Sequence, residues 1–61
     1  MRKRIRIMSR RPGKSEWGIR DDRFLPGEKT IDQLREEAVR KIIDWQAVEP
    51  NTEFRIEEYR G

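Results

Sequence analysis

Apolar and polar positions alternate along three stretches of the chain and recur with a helical period along a fourth. Over residues 3–9, Ile5 and Ile7 fall on one side and Arg4, Arg6 and Met8 on the other. That is the period-2 pattern of a half-buried strand. Pro12-Gly13 follows as a turn signal. Residues 15–21 alternate again, which predicts a second strand with Trp17 and Ile19 inward and Gly18 and Arg20 outward. Together these segments form a β-hairpin with a basic tip. Gly18 inside a strand points to a bulge or to close approach by another backbone. Residues 22–29 read as a loop cornered by Pro26-Gly27, from which Phe24 and Leu25 fold back over an edge of the core.

Thr30 opens the clearest element. Thr30-Ile31-Asp32-Gln33 fits a capping box, with the Thr hydroxyl accepting from the Gln33 amide and the Gln33 side chain reaching back. Asp32 suits the positive end of the helix dipole. Ile31, Leu34, Ala38, Ile42 and Trp45 follow at spacings of 3, 4, 4 and 3, one face of a helix over residues 30–47. Glu36 with Arg40, and Glu37 with Lys41, are placed for i,i+4 pairs. Pro50 ends the helix by pushing its predecessor out of the α region. Residues 53–59 alternate once more, with Phe54 and Ile56 inward.

The expected architecture is a small single α+β domain of ββαβ order covering residues 1–61. It has a mainly antiparallel three-stranded sheet with one helix on one face. Its expected core is Ile5, Ile7, Trp17, Ile19, Leu34, Ala38, Ile42, Trp45, Phe54 and Ile56. Strand lengths alone leave the strand order open. Val39 and Ile43 lie about 60° and 100° past Ile42 around the helix. They either cover a sheet edge together with Phe24 and Leu25 or form a contact with a partner protein.

Composition sharpens this picture. At 61 residues the chain buries only about 60% of its unfolded surface, so its stability margin is thin. With no Cys and no His it has neither disulfides nor an ordinary zinc site, and no metal or cofactor is expected. The same absences remove the commonest general base and the thiol nucleophile. So small a fold has little room for a substrate pocket. The expectation is therefore a protein without enzyme activity or small-molecule substrate. Gly13-Lys14-Ser15 has the ending of a P-loop, but Met8 stands where the first glycine belongs and a strand follows in place of a helix. Asp21-Asp22 is the densest acidic pair, and the flanking Arg20 and Arg23 make an ion-pair cluster the better reading than a Mg²⁺ site. No apolar run reaches the roughly 20 residues of a membrane span. No secretory h-region follows the basic start, and the expected location is the cytoplasm.

Charge is segregated. Residues 1–20 hold eight basic side chains against Glu16 alone, whereas residues 21–61 hold seven basic against eleven acidic. Eleven of the fifteen basic residues are Arg, which suits phosphate and stacking contacts. Arg4 and Arg6 share the outer face of the first strand with Arg2. Arg20 and Arg55 are expected to join them from the neighbouring strands, while Arg10, Arg11 and Lys14 crowd the hairpin tip. Glu53, Glu57 and Glu16, expected on the same face, offer a competing use for these arginines as a cross-strand salt ladder. Tyr59 is the one aromatic expected on that face, which argues against base stacking.

A basic hairpin followed by a helix is loosely similar to the small DNA-binding domains at the N-termini of tyrosine recombinases. The likeness covers element order and charge. The strand after the helix departs from that pattern, so no residue role is carried over. Two functional expectations follow. One is a protein-interaction or assembly module, pairing with itself or another protein, with Phe24, Leu25, Val39 and Ile43 at the interface. The other is a basic accessory protein that holds DNA or RNA backbone through Arg4, Arg6, Arg10, Arg11, Lys14 and Arg20.

Overall fold

The computed structural model describes residues 3–24 and 27–60. Four elements run in the order β1 (Lys3–Arg10), β2 (Gly18–Phe24), α1 (Ile31–Val48) and β3 (Glu53–Arg60). The α+β class, the ββαβ order and the single helix on the sheet agree with the alternation of the sequence. β1 occupies the centre of a fully antiparallel sheet ordered β2-β1-β3.

The β1–β3 pairing is unbroken from Lys3↔Arg60 to Arg10↔Glu53. The β1–β2 pairing is different. Ile5 faces Phe24, Ile7 faces Asp21 and Met8 faces Ile19, so the register shifts twice within a few residues. Between Ile19 and Asp21, Arg20 is the extra residue. Between Asp21 and Phe24, two residues stand opposite Arg6 alone. Each such bulge breaks the period-2 alternation of the strand.

Three expectations for the second strand change as a result. It spans 18–24 in place of 15–21. Phe24 is its buried last residue, 4% exposed and part of the core, not a loop side chain at an edge. Ile19, expected in the core, points to the opposite face and is 54% exposed. Gly18 marks neither bulge, and a Cβ there would meet nothing within 4 Å.

Ile5, Ile7, Phe24, Leu34 and Ala38 form the core, with Ile31, Ile42, Trp45, Phe54 and Ile56 packed against it. Ile5 and Ile7 are fully buried, which contributes about 1.5–3 kcal/mol for each. The capping box of α1 is complete: Gln33 N donates to Thr30 Oγ1 at 3.2 Å, and Thr30 N donates to Gln33 Oε1 at 2.9 Å. The helix ends at Glu49, whose amide donates to the Trp45 carbonyl at 2.7 Å. Pro50 then sits second in a turn closed by Thr52 N donating to the Glu49 carbonyl at 3.1 Å. At the hairpin tip, Lys14 N donates to the Arg11 carbonyl at 3.1 Å, with Gly13 at φ +81°. Pro12 followed by a glycine in that conformation is a type II turn, not a phosphate-binding loop.

The helix charges choose long-range partners over the expected i,i+4 ones. Glu37 pairs with Lys29, Lys41 with Asp21, and Arg35 with Glu58. No described helix is long and apolar enough to cross a membrane.

Candidate nucleic-acid interface

The sheet has one face under the helix and one facing away from it. On the outer face β1 presents Arg4, Arg6, Met8 and Arg10, and β3 presents Tyr59, Glu57, Arg55 and Glu53 directly opposite them. β2 adds Ile19 opposite Met8. Trp17, just ahead of β2, lies here too. The guanidinium carbons of Arg10 and Arg55 stand 4.7 and 4.5 Å from its ring centroid. Trp17 is thus an outer-face residue and not the core residue expected from alternation. The phase of β2 explains this: continuing the register beyond Ser9↔Gly18 sets Trp17 opposite Arg10.

Tyr59 forms a second aromatic station. Arg6 and Arg4 lie over its ring at 4.5 and 5.8 Å. Cations at such distances are held by the ring quadrupole. Between the two stations, Met8 sits in the central strand and is only 7% exposed.

Part of the expected salt ladder is present. Arg6 pairs with Glu57 and Arg10 Nε donates to Glu53 Oε2 at 2.6 Å, while Arg55 lies 3.8 Å from Glu57. The Arg10 guanidinium, through this hydrogen bond first, holds the Glu53 carboxyl below its usual range and is itself shifted upward. Glu16 is exposed and in no ion pair among the described residues. Arg4, Arg11 and Lys14 likewise have no carboxylate partner among the described residues, and Arg4 Nε is buried without an acceptor.

Arg20 does not join this set. As the extra residue of the first bulge it turns to the helix side. Its guanidinium lies 5.0 Å from the Trp45 ring and 5.7 Å from Phe54, and it pairs with Glu49. Trp45 and Phe54 are themselves stacked at 5.9 Å. The last turn of α1 has no basic residue of its own, so Arg20 brings a cation to the negative end of the helix.

Asp21, next along, is also turned to the helix side and is almost completely buried. It accepts from Lys41 Nζ at 2.9 Å and from the Arg23 amide at 3.0 Å, with the Arg23 side chain 3.7 Å away. The Lys41 hydrogen bond, then the amide, hold its carboxyl below the usual aspartate range against the opposing effect of burial.

Of the residues expected at a protein interface, Phe24 is buried in the core and Leu25 lies outside the described residues. Val39 and Ile43 are exposed, at 43% and 59%. Sequence reasoning missed Trp17 as a surface residue. The available signal was its position next to the Arg11–Lys14 tip, where a short bend precedes the strand. Comparison with family models, with curated proteins and with solved structures gives no match to this chain.

Proposed function

We propose that the protein is a non-enzymatic nucleic-acid-binding module that holds single-stranded DNA or RNA on the outer face of its sheet. The observation that carries this reading is Trp17 on that face among Arg10 and Arg55, with Tyr59 among Arg4 and Arg6 as its counterpart. Aromatic rings and guanidinium planes are the surfaces on which unpaired bases stack, and arginines also meet the backbone phosphates. Arg11 and Lys14 at the hairpin tip extend the basic strip beyond β1. The pairs of Arg6 and Arg10 with glutamates do not remove them from use. Partly exposed ion pairs are worth little in water, and a phosphate can exchange for the carboxylate.

Stacking without a base-reading pattern gives little sequence preference and a strong salt dependence. The test is fluorescence anisotropy with labelled single-stranded DNA, single-stranded RNA and duplex DNA at two salt concentrations, for the parent and for Trp17→Ala. Single strands should bind better than duplex, with affinity falling steeply as salt rises. Trp17→Ala should weaken binding by about 1–3 kcal/mol, roughly 5- to 150-fold. Absence of binding at low salt, or an unchanged affinity in Trp17→Ala, refutes the reading.

A further inference from the structure

Both outer strands of the sheet have an edge facing away from β1, and the two edges differ. β2 is bulged twice. β3 keeps eight consecutive residues in regular register with β1 and contains neither proline nor lysine. Of the devices that commonly blunt an exposed edge it has no bulge, proline or lysine, only charged side chains, Glu58 among them on the helix side.

The helix reinforces the asymmetry. It lies chiefly over β1 and β3. Arg35 reaches down on the β3 side to Glu58, and Lys41 reaches down on the β2 side to Asp21. At 100° per residue, Val39 and Ile43 fall about 40° and 80° beyond Arg35, away from Lys41. The exposed apolar flank of the helix is therefore on the β3 side, Val39 turned sideways and Ile43 further round from the sheet.

We propose that this edge binds a second copy of the chain, β3 against β3, antiparallel and centred on Ile56. Charge selects both the partner and the register. With the two-fold axis at Ile56, Arg55 of each copy stands opposite Glu57 of the other on the outer face. Phe54 stands opposite Glu58, Ile56 meets itself, and no like charges are opposed. Centring on Arg55 opposes Arg55 to itself and Glu53 to Glu57. Centring on Glu57 opposes Glu57 to itself. A shift by a single residue would put the helix-side residues of one copy on the outer face of the other. Centring on Phe54 leaves only residues 53–55 of the strands overlapped. The sequence of β3 is thus self-complementary in one long register.

The two-fold axis runs normal to the sheet, so both helices cover the same side of a six-stranded sheet ordered β2-β1-β3-β3-β1-β2. The two β1 strands are then three strand spacings apart, about 14 Å. Because each helix leans toward β3, the axes come closer than that, toward the 8–10 Å of packed helices. Val39 and Ile43 of the two copies fill the space above the seam. This dimer does not depend on nucleic-acid binding: its Arg55–Glu57 contacts lie on the outer face, but Ile43 on the helix flank lies outside it and tests the dimer separately.

The test is sedimentation equilibrium from low micromolar to near-millimolar concentration, with circular dichroism to confirm folding of each variant. The parent should be dimeric. Arg55→Glu opposes Glu to Glu57 across the seam, and Glu57→Arg opposes Arg to Arg55. Each alone should raise the dissociation constant about tenfold or more. Mixed together, the two variants regain attraction at both contacts and should form a heterodimer, read by native mass spectrometry. Ile43→Glu alters a side chain already exposed to water, so it should keep the fold and weaken the dimer. A parent that stays monomeric throughout overturns the proposal. So do charge-reversed variants that dimerise like the parent, a mixture without preferred heterodimers, or a dimer indifferent to Ile43→Glu.

Discussion

β2 and β3 flank the same central strand, yet they obey different rules. β3 keeps strict alternation, with Phe54, Ile56 and Glu58 toward the helix and Glu53, Arg55, Glu57 and Tyr59 away from it. β2 changes phase twice over seven residues and so brings Arg20, Asp21 and Phe24 all toward the helix. The regular strand supplies a repeated surface. The irregular one supplies three different anchors: a cation at the helix C-terminus, a buried carboxylate for Lys41 and an apolar plug for the core. A bulge trades continuity of the ladder for the freedom to aim successive side chains at separate targets.

The most severe way to test that contrast is to truncate the plug. Phe24→Ala should destabilise the fold by about 3 kcal/mol or more. In a domain with so thin a margin, that leaves a substantial unfolded fraction, read as a large drop in the urea midpoint. Next is the buried carboxylate. Asp21→Ala leaves Lys41 and the Arg23 amide without their acceptor and should cost about 1–3 kcal/mol. Glu53→Ala, which removes an exposed ion pair on β3, should cost far less than Asp21→Ala. Equal losses at the two positions would erase the distinction between the strands.

The same carboxylate makes acid the next probe. The folded-state pKa of Asp21 is lowered, so its contribution is fully present above the ordinary aspartate value of about 3.9 and is lost as pH falls through the lowered one. Urea denaturation at successively lower pH should show stability declining as the pH falls below about 4. Asp21→Ala should decline less steeply, and a variant with the parent's slope would assign the acid sensitivity elsewhere. The smallest effect is expected at Ile19, which alternation had assigned to the core. Ile19→Thr should change stability by no more than about 0.5 kcal/mol. A loss as large as that of Phe24→Ala would restore the unbulged register.

The contrast also marks what can be read from residue order. β1, α1 and β3 were legible because their apolar spacing matches a regular period and their boundaries carry explicit signals, Thr30 with Gln33 at one helix end and Pro50 at the other. The phase of β2 was not. Ile19-Arg20-Asp21-Asp22-Arg23-Phe24 contains no glycine or proline where the bulges fall, and the glycine that is present, Gly18, led toward the wrong position. One clue was available: Phe24 and Leu25 are the only apolar residues between Ile19 and Ile31, so the far end of the sheet had few other side chains to cover it. The candidate site inherited the error. Once β2 was read out of phase, Trp17 moved into the core and Arg20 onto the outer face. The residues of β1 and β3 were placed on the face they occupy, together with their glutamate partners.

The twin bulges of β2 also bear on how far such a sheet can grow. A flat strand at both margins would let copies add without end, giving a filament. In the proposed dimer the pairing of β3 with itself would use up one margin of each copy, and the two margins left over are kinked and carry Arg20, Asp21, Asp22 and Arg23. That symmetry would close at two. A strand whose irregularity looks like a defect of pairing would act as the terminator that separates a finite particle from a fibre.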